Sequence, residues 1–200
     1  MSSTICLIET TPMNADLQQL QRELDSSLEG LGSDQTQLRP VARPACWSIQ
    51  QIVEHLLLTY ELTGTALEAR IAKRAPTRAR PTLVQQFSQY ALLGLGYFPS
   101  GRKAPAPVTP LARSIPRSGE QLSVAVDEHL AGLGNVCRQA EEIFGANHRF
   151  ASHMILGPMN VNQWRRFQLI HGHHHVKQIL AIRQAYQIAP SQAAMHQSSH

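Results

Sequence analysis

Three points in the chain carry one signature, a small polar residue followed three positions later by glutamine: Ser48–Gln51, Ser118–Gln121 and Asn160–Gln163. In such a capping box the first side chain accepts from the backbone N–H three residues on. The glutamine oxygen accepts from the N–H of the first residue in return. Each box opens a run in which apolar residues recur every three or four positions, the period of a helix with one buried face. The pattern predicts helices from Ser48 to about Arg74, from Ser118 to about Phe144 and from Asn160 to about Ile188. A further helix is predicted from Pro12 to Leu31, with Thr11 as its cap and Pro12 in the first turn, where a missing N–H costs nothing. No segment alternates strictly enough to be read as a strand.

Between the second and third of these helices, residues 75–117 hold seven of the 12 prolines. Within them PTLVQQFSQYALLGL (81–95) reads as a short extra helix, and GYFPSGRKAPAPVTP (96–110) as a loop broken by proline. A loop of that length is more often functional than filler. The expected architecture is all-α: a four-helix bundle with a long proline-rich crossover and a short extra helix between helices 2 and 3. Two hundred residues suit one domain with a full core, expected over 1–188, with 189–200 a disordered tail.

The net charge of +4 is unevenly spread. Residues 69–119 contain no Asp or Glu and hold nine of the 18 basic residues, so the rest of the chain, with nine basic and 14 acidic, is net −5. The basic segment has three readings: a solvated surface, a cationic lip at which Arg102 and Lys103 draw in an anionic substrate, or a nucleic-acid contact. The last is least supported, because no nucleic-acid motif accompanies the charge. No apolar run approaches the ~18 residues of a membrane span. The N-terminus MSSTICLIETTPMN lacks a basic stretch followed by an apolar one, so no signal peptide is expected. Cys6, Cys46 and Cys137 are far apart and odd in number, which suits a reduced, cytoplasmic protein and argues against a cysteine-based zinc site.

The last predicted helix contains HGHHHVKQ, residues 171–178. At about 100° per residue, His175 falls about 40° from His171, and Trp164, Phe167 and Ile182 fall within the same arc. His171 and His175 therefore lie on the apolar face. His174 sits at its edge, and His173 points outward beside Arg166, Lys177 and Gln184. Buried imidazoles need partners. Residues i and i+4 bring side chains to about 6 Å, within reach of one ion.

On the second helix His55 shares the predicted core face with Ile52, Thr59, Leu62 and Ala66, whereas Glu54, Glu61 and Glu68 form the outer stripe. On the third, His129 stands among Leu122, Val126, Leu133, Val136 and Ala140. It is a possible fourth ligand or outer partner, although a satisfied core histidine is the commoner outcome. Two readings of His55, His171 and His175 remain open at this level: three ligands of one divalent ion, or three buried, hydrogen-bonded histidines.

WSIQQIVEHLLLTYE (47–61) resembles the segment around the first metal histidine of the DinB/YfiT-like superfamily. LGPMNVNQWRRFQLIHGHHHVKQI (156–179) resembles its last helix, which typically reads H-x-x-H-H-x-x-Q, and FPSGRKAPAPVTP (98–110) resembles a proline-rich loop in one of its branches. The resemblance implies a four-helix bundle, often a homodimer, with a divalent metal held by one histidine of the second helix and two of the last. Carried over, these are His55, His171 and His175. It further implies a metal-dependent hydrolase or a thiol-dependent transferase acting on a small molecule, anionic or a thiol.

Three imidazoles would leave positions open on the ion for water or a thiolate. Zinc or nickel suits an all-imidazole site best, with iron or manganese as alternatives. His174 and Gln178 are expected to orient the ligands from outside. No Asp or Glu is placed by the pattern as a general base. The alternative is a non-catalytic bundle with a structural metal or none, acting through its basic middle.

Overall fold

Each long helix opens on a side chain that closes the first turn. A computed structural model describes residues 13–98 and 104–189. Within them α1 spans Ala15–Leu28, α2 Ile49–Ala72, α3 Leu83–Gln89, α4 Gly119–Phe144 and α5 Val161–Ala185. Reciprocal boxes form at Ser48–Gln51, Ser118–Gln121 and Asn160–Gln163, as the spacing predicts. A fourth box, Thr82–Gln85, starts α3, which runs on into a π-helical turn over Tyr90–Gly94. The first helix begins later than expected: Asn14 Oδ1 accepts from Asp16 N at 3.0 Å and sets the start. Thr11 and Pro12 lie outside the described residues. That helix also stops at Leu28, where the chain turns through Gly30 at φ 72° rather than continuing to Leu31.

The described chain is mostly helical. α2 lies along α4 and α1 along α5, while α1 also meets α4, and α2 meets α5. Leucines 17, 20 and 24 of α1, Val53 and Leu56 of α2, Leu122, Val126 and Leu130 of α4 and Ile179 of α5 are all fully buried in one cluster. Gly172 sets how closely α1 and α5 approach, since a Cβ there would collide with the Leu20 side chain.

Two expectations are corrected. The first is the absence of strands: β1 (Ala151–His153) and β2 (Gly157–Met159) pair antiparallel, with Ser152 opposite Pro158. Three-residue strands are too short to show alternation, and Pro158 is tolerated because a two-stranded hairpin has free edges. Gln89 Nε2 donates to Leu156 O at 2.7 Å and Pro158 O at 3.1 Å, so α3 holds the hairpin.

The second concerns α2. Leu62 and Ala66 are exposed although they share the helical phase of His55. The early turns of α2 are covered on more than one side, and the cover ends before Leu62. Glu54 is half-buried as a result: Gln50 Nε2 donates to its Oε1 at 2.9 Å, and its Oε2 is buried without a partner. Glu61 and Glu68 are exposed as expected.

The cover is the proline-rich segment itself. Gln51 Nε2 donates to Leu111 O at 3.0 Å, and Gln50 Nε2 donates to Ser114 Oγ and Ile115 O at 2.9 Å each. Gln50 Oε1 accepts from Arg117 N at 2.8 Å. Two glutamines in the first turn of α2 thus fasten the segment that leads into α4.

Candidate metal centre

α2 carries His55 and α5 carries His171 and His175 one turn apart. Their Nε2 atoms converge. His55 Nε2 stands 3.2 Å from His171 Nε2, and His175 Nε2 stands 3.1 Å from the same atom. One ligand atom from each residue lies within 4.8 Å of the others. All three side chains are buried, at 4%, 6% and 6% exposure, so the group is largely shielded from bulk water.

The far nitrogens fix where the protons are. His55 Nδ1 donates to Val108 O at 2.7 Å, since a carbonyl only accepts, and His55 Nε2 is therefore a lone pair in the neutral ring. His175 Nδ1 donates to Gln178 Oε1 at 2.9 Å, which leaves its Nε2 a lone pair as well. His171 Nδ1 is buried with no partner. A single proton on His171 Nε2 could satisfy only one of the two lone pairs facing it. With that proton on Nδ1, three lone pairs converge. A cation satisfies all three at once. Two nitrogens bound to one ion at about 2.0–2.1 Å sit about 2.8–3.4 Å apart for bond angles between a right angle and the tetrahedral value. The two pairs that share His171 Nε2 fall inside that range, and the third is bounded at 4.8 Å, so the group is one that could hold a divalent ion.

Burial keeps these rings neutral, as ligation requires. Desolvation lowers the His55 pKa against the opposing pull of Val108 O. It lowers His175 to about 3, helped by the neighbouring His55. It drives His171 well below the ordinary value, with His175 and His55 adding to the effect. Aromatic rings wall the site. Trp47 lies 4.9 Å from the His55 ring, while Phe98 at 5.2 Å and Phe167 at 5.5 Å stack on His171.

A family model described as DinB superfamily matches residues 16–179. The chain belongs to the DinB superfamily. Searches of curated proteins and of solved structures return no match. Proteins of the DinB superfamily bind metal, and the histidine triad of this member is a group that could hold one.

The other residues singled out from sequence fall in different places. Gln178 touches the triad directly through His175, and its Nε2 donates to His174 Nε2 at 3.0 Å. His174 is half-buried and stacks on Phe98 at 4.9 Å. His173 is exposed and bonds Glu23 Oε2 at 2.8 Å, tying α5 to α1. His129 is not brought into the triad: its Nδ1 donates to Ala125 O of its own helix at 2.8 Å. Arg102 and Lys103 lie outside the described residues. Among the described residues, no basic group of 69–119 forms an ion pair. Sequence reasoning missed Trp47, Phe98 and the Val108 carbonyl. A backbone carbonyl has no residue-type signal, although the proline-rich segment that carries it stood out.

Proposed function

We propose that this DinB protein is a single-domain four-helix bundle and a metalloenzyme. Its resident divalent ion, zinc or nickel in preference to iron or manganese, is held by His55, His171 and His175. The convergence of three Nε2 atoms whose two tautomer-defined members both present lone pairs supports this reading most directly. A divalent ion bound there supplies Lewis-acid activation of a nucleophile, water or a thiol. The class of reaction is hydrolysis or thiol-dependent transfer on a small molecule. In this reading the chain's own part is to bind and orient.

Val108 O and Gln178 Oε1 hold two of the rings in the tautomer that ligates. Trp47, Phe98 and Phe167 keep the group dry, which strengthens electrostatic interactions inside it. Arg102 and Lys103 draw in an anionic substrate, and the protein works in the cytoplasm as a homodimer.

Metal analysis of untagged protein tests the assignment. The expected result is about one divalent ion per chain, lost in His55→Ala and retained in His173→Ala. Retention in His55→Ala with loss in His173→Ala would place the site elsewhere on the histidine-rich turn. Metal bound without turnover of any ester, amide or thiol-conjugate substrate would leave a structural ion in a non-catalytic bundle.

A further inference from the structure

His153 belongs to neither the sequence motifs nor the triad. It ends β1, and its ring packs against Phe167 at 4.7 Å and Trp164 at 5.7 Å. Phe167 in turn stacks on His171 at 5.5 Å with the planes 15° apart. One aromatic ring therefore stands between His153 and the converging nitrogens. His171 also feels His153 as one of the charges that would oppose its own protonation.

The hairpin turn determines the state of this ring. His153 Nδ1 accepts from Ile155 N at 3.1 Å and from Leu156 N at 3.2 Å. Both partners are backbone N–H groups that can only donate, so Nδ1 carries a lone pair. The neutral ring then holds its single proton on Nε2. A second proton on Nδ1 would face two donors, so the turn disfavours the imidazolium as well. Burial acts in the same direction and lowers the pKa to about 4. Gln89 holds the turn through Leu156 O and Pro158 O, and Gly157 at φ 72° lets the chain return into β2. Nε2–H has no protein acceptor among the described residues. It is the end of the ring farther from the backbone. The turn thus fixes a neutral Nε2–H donor one aromatic ring away from the triad, bonded to no described protein atom.

We propose that His153 Nε2–H is a substrate-binding donor, which hydrogen-bonds a carboxylate or carbonyl oxygen of the molecule held at the histidine triad. The proposal rests on the metal reading of that triad. An oxygen acceptor is the class required: the donor is uncharged, and a substrate oxygen that gains negative charge during reaction would bind it more tightly.

Two measurements on the full chain test this. The first needs no metal: long-range proton–nitrogen correlation spectra of the metal-free, nitrogen-15-labelled protein read the tautomer. His153 is expected as the Nε2–H form from pH 8 down to about pH 5. An Nδ1–H ring, or a charged ring at pH 7, overturns the proposal. The second uses cobalt(II) as the ion and acetohydroxamate as the oxygen ligand, followed by visible absorption. His153→Phe, which keeps an aromatic ring against Phe167 and Trp164, is expected to bind cobalt with unchanged stoichiometry. It should bind hydroxamate about 10-fold more weakly, the loss of one hydrogen bond. His153→Gln, which keeps an N–H donor, should recover most of that loss. Unchanged hydroxamate affinity in both variants, with cobalt bound, overturns the role of His153 while leaving the triad intact. Failure of the unsubstituted chain to take up cobalt overturns the metal reading itself, and the donor role with it.

Discussion

Arg183 shows what a single buried polar group can do at the end of a helix. It is 4% exposed, and its guanidinium donates to Ser27 O, Glu29 O and Ala189 O at 2.8–2.9 Å. It supplies donors to carbonyls at the C-terminal end of α1 that have no helical partner of their own. Arg183→Met keeps the apolar stem but orphans those carbonyls, and it is expected to cost about 2–3 kcal/mol. Urea denaturation with an unchanged m-value would measure the loss, and a cost below about 0.5 kcal/mol would mean water replaces the guanidinium. The histidines illustrate the opposite dependence. Helical phase placed His171 and His175 inward and His173 outward because side-chain direction on a helix follows from position alone. It could not report that His55 Nδ1 finds Val108 O, 53 residues away in sequence. Nor did it single out His153, whose role comes from a turn rather than a helix.

At the level of elements, the capping boxes made three of the helix starts legible, because a cap is a local interaction. Thr82–Gln85 obeys the same rule, and the pattern there was present but unused. The hairpin and the late start of α1 were not legible, being short or set by a competing cap. Two elements invite substitution. Gly172→Val forces a β-branched side chain against Leu20 at the α1–α5 contact, and it should lower stability by about 1–3 kcal/mol, read as a fall in thermal midpoint. Gln50→Leu removes the bonds to Ser114, Ile115 and Arg117 without touching a ligand. If the segment 104–117 orients His55 through Val108, metal affinity should drop about 10-fold in competition with a chromophoric chelator. Unchanged affinity would show that His55 keeps its direction without that tether.

The whole molecule should respond to acid in a definite sense. His153 and His175 have folded pKa values of about 4 and about 3, below the ordinary value of 6.5, and His55 and His171 are also lowered. Between the two values the unfolded chain binds protons that the folded chain does not. Stability is therefore full above about pH 6.5 and declines as pH falls toward 4, by at most about 1.4 kcal/mol per pH unit for each histidine. Metal-free protein should show a falling urea midpoint from pH 7 to pH 5, while bound metal should be retained over that range, because the folded His175 ring gains a proton only near pH 3. A flat midpoint would mean that these rings gain protons without resistance.

The sequence by itself determined the helical class, three helix starts and the inward facing of His55, His171 and His175. Capping and helical phase act within a few residues and need no knowledge of neighbours. Only the tertiary structure decided that α2 and α5 bring those histidines to one point, that the proline-rich segment covers the first turns of α2, and that a hairpin sets His153 beside Phe167. Each of these depends on residues distant in sequence meeting across packed surfaces, and no local pattern records which surfaces meet.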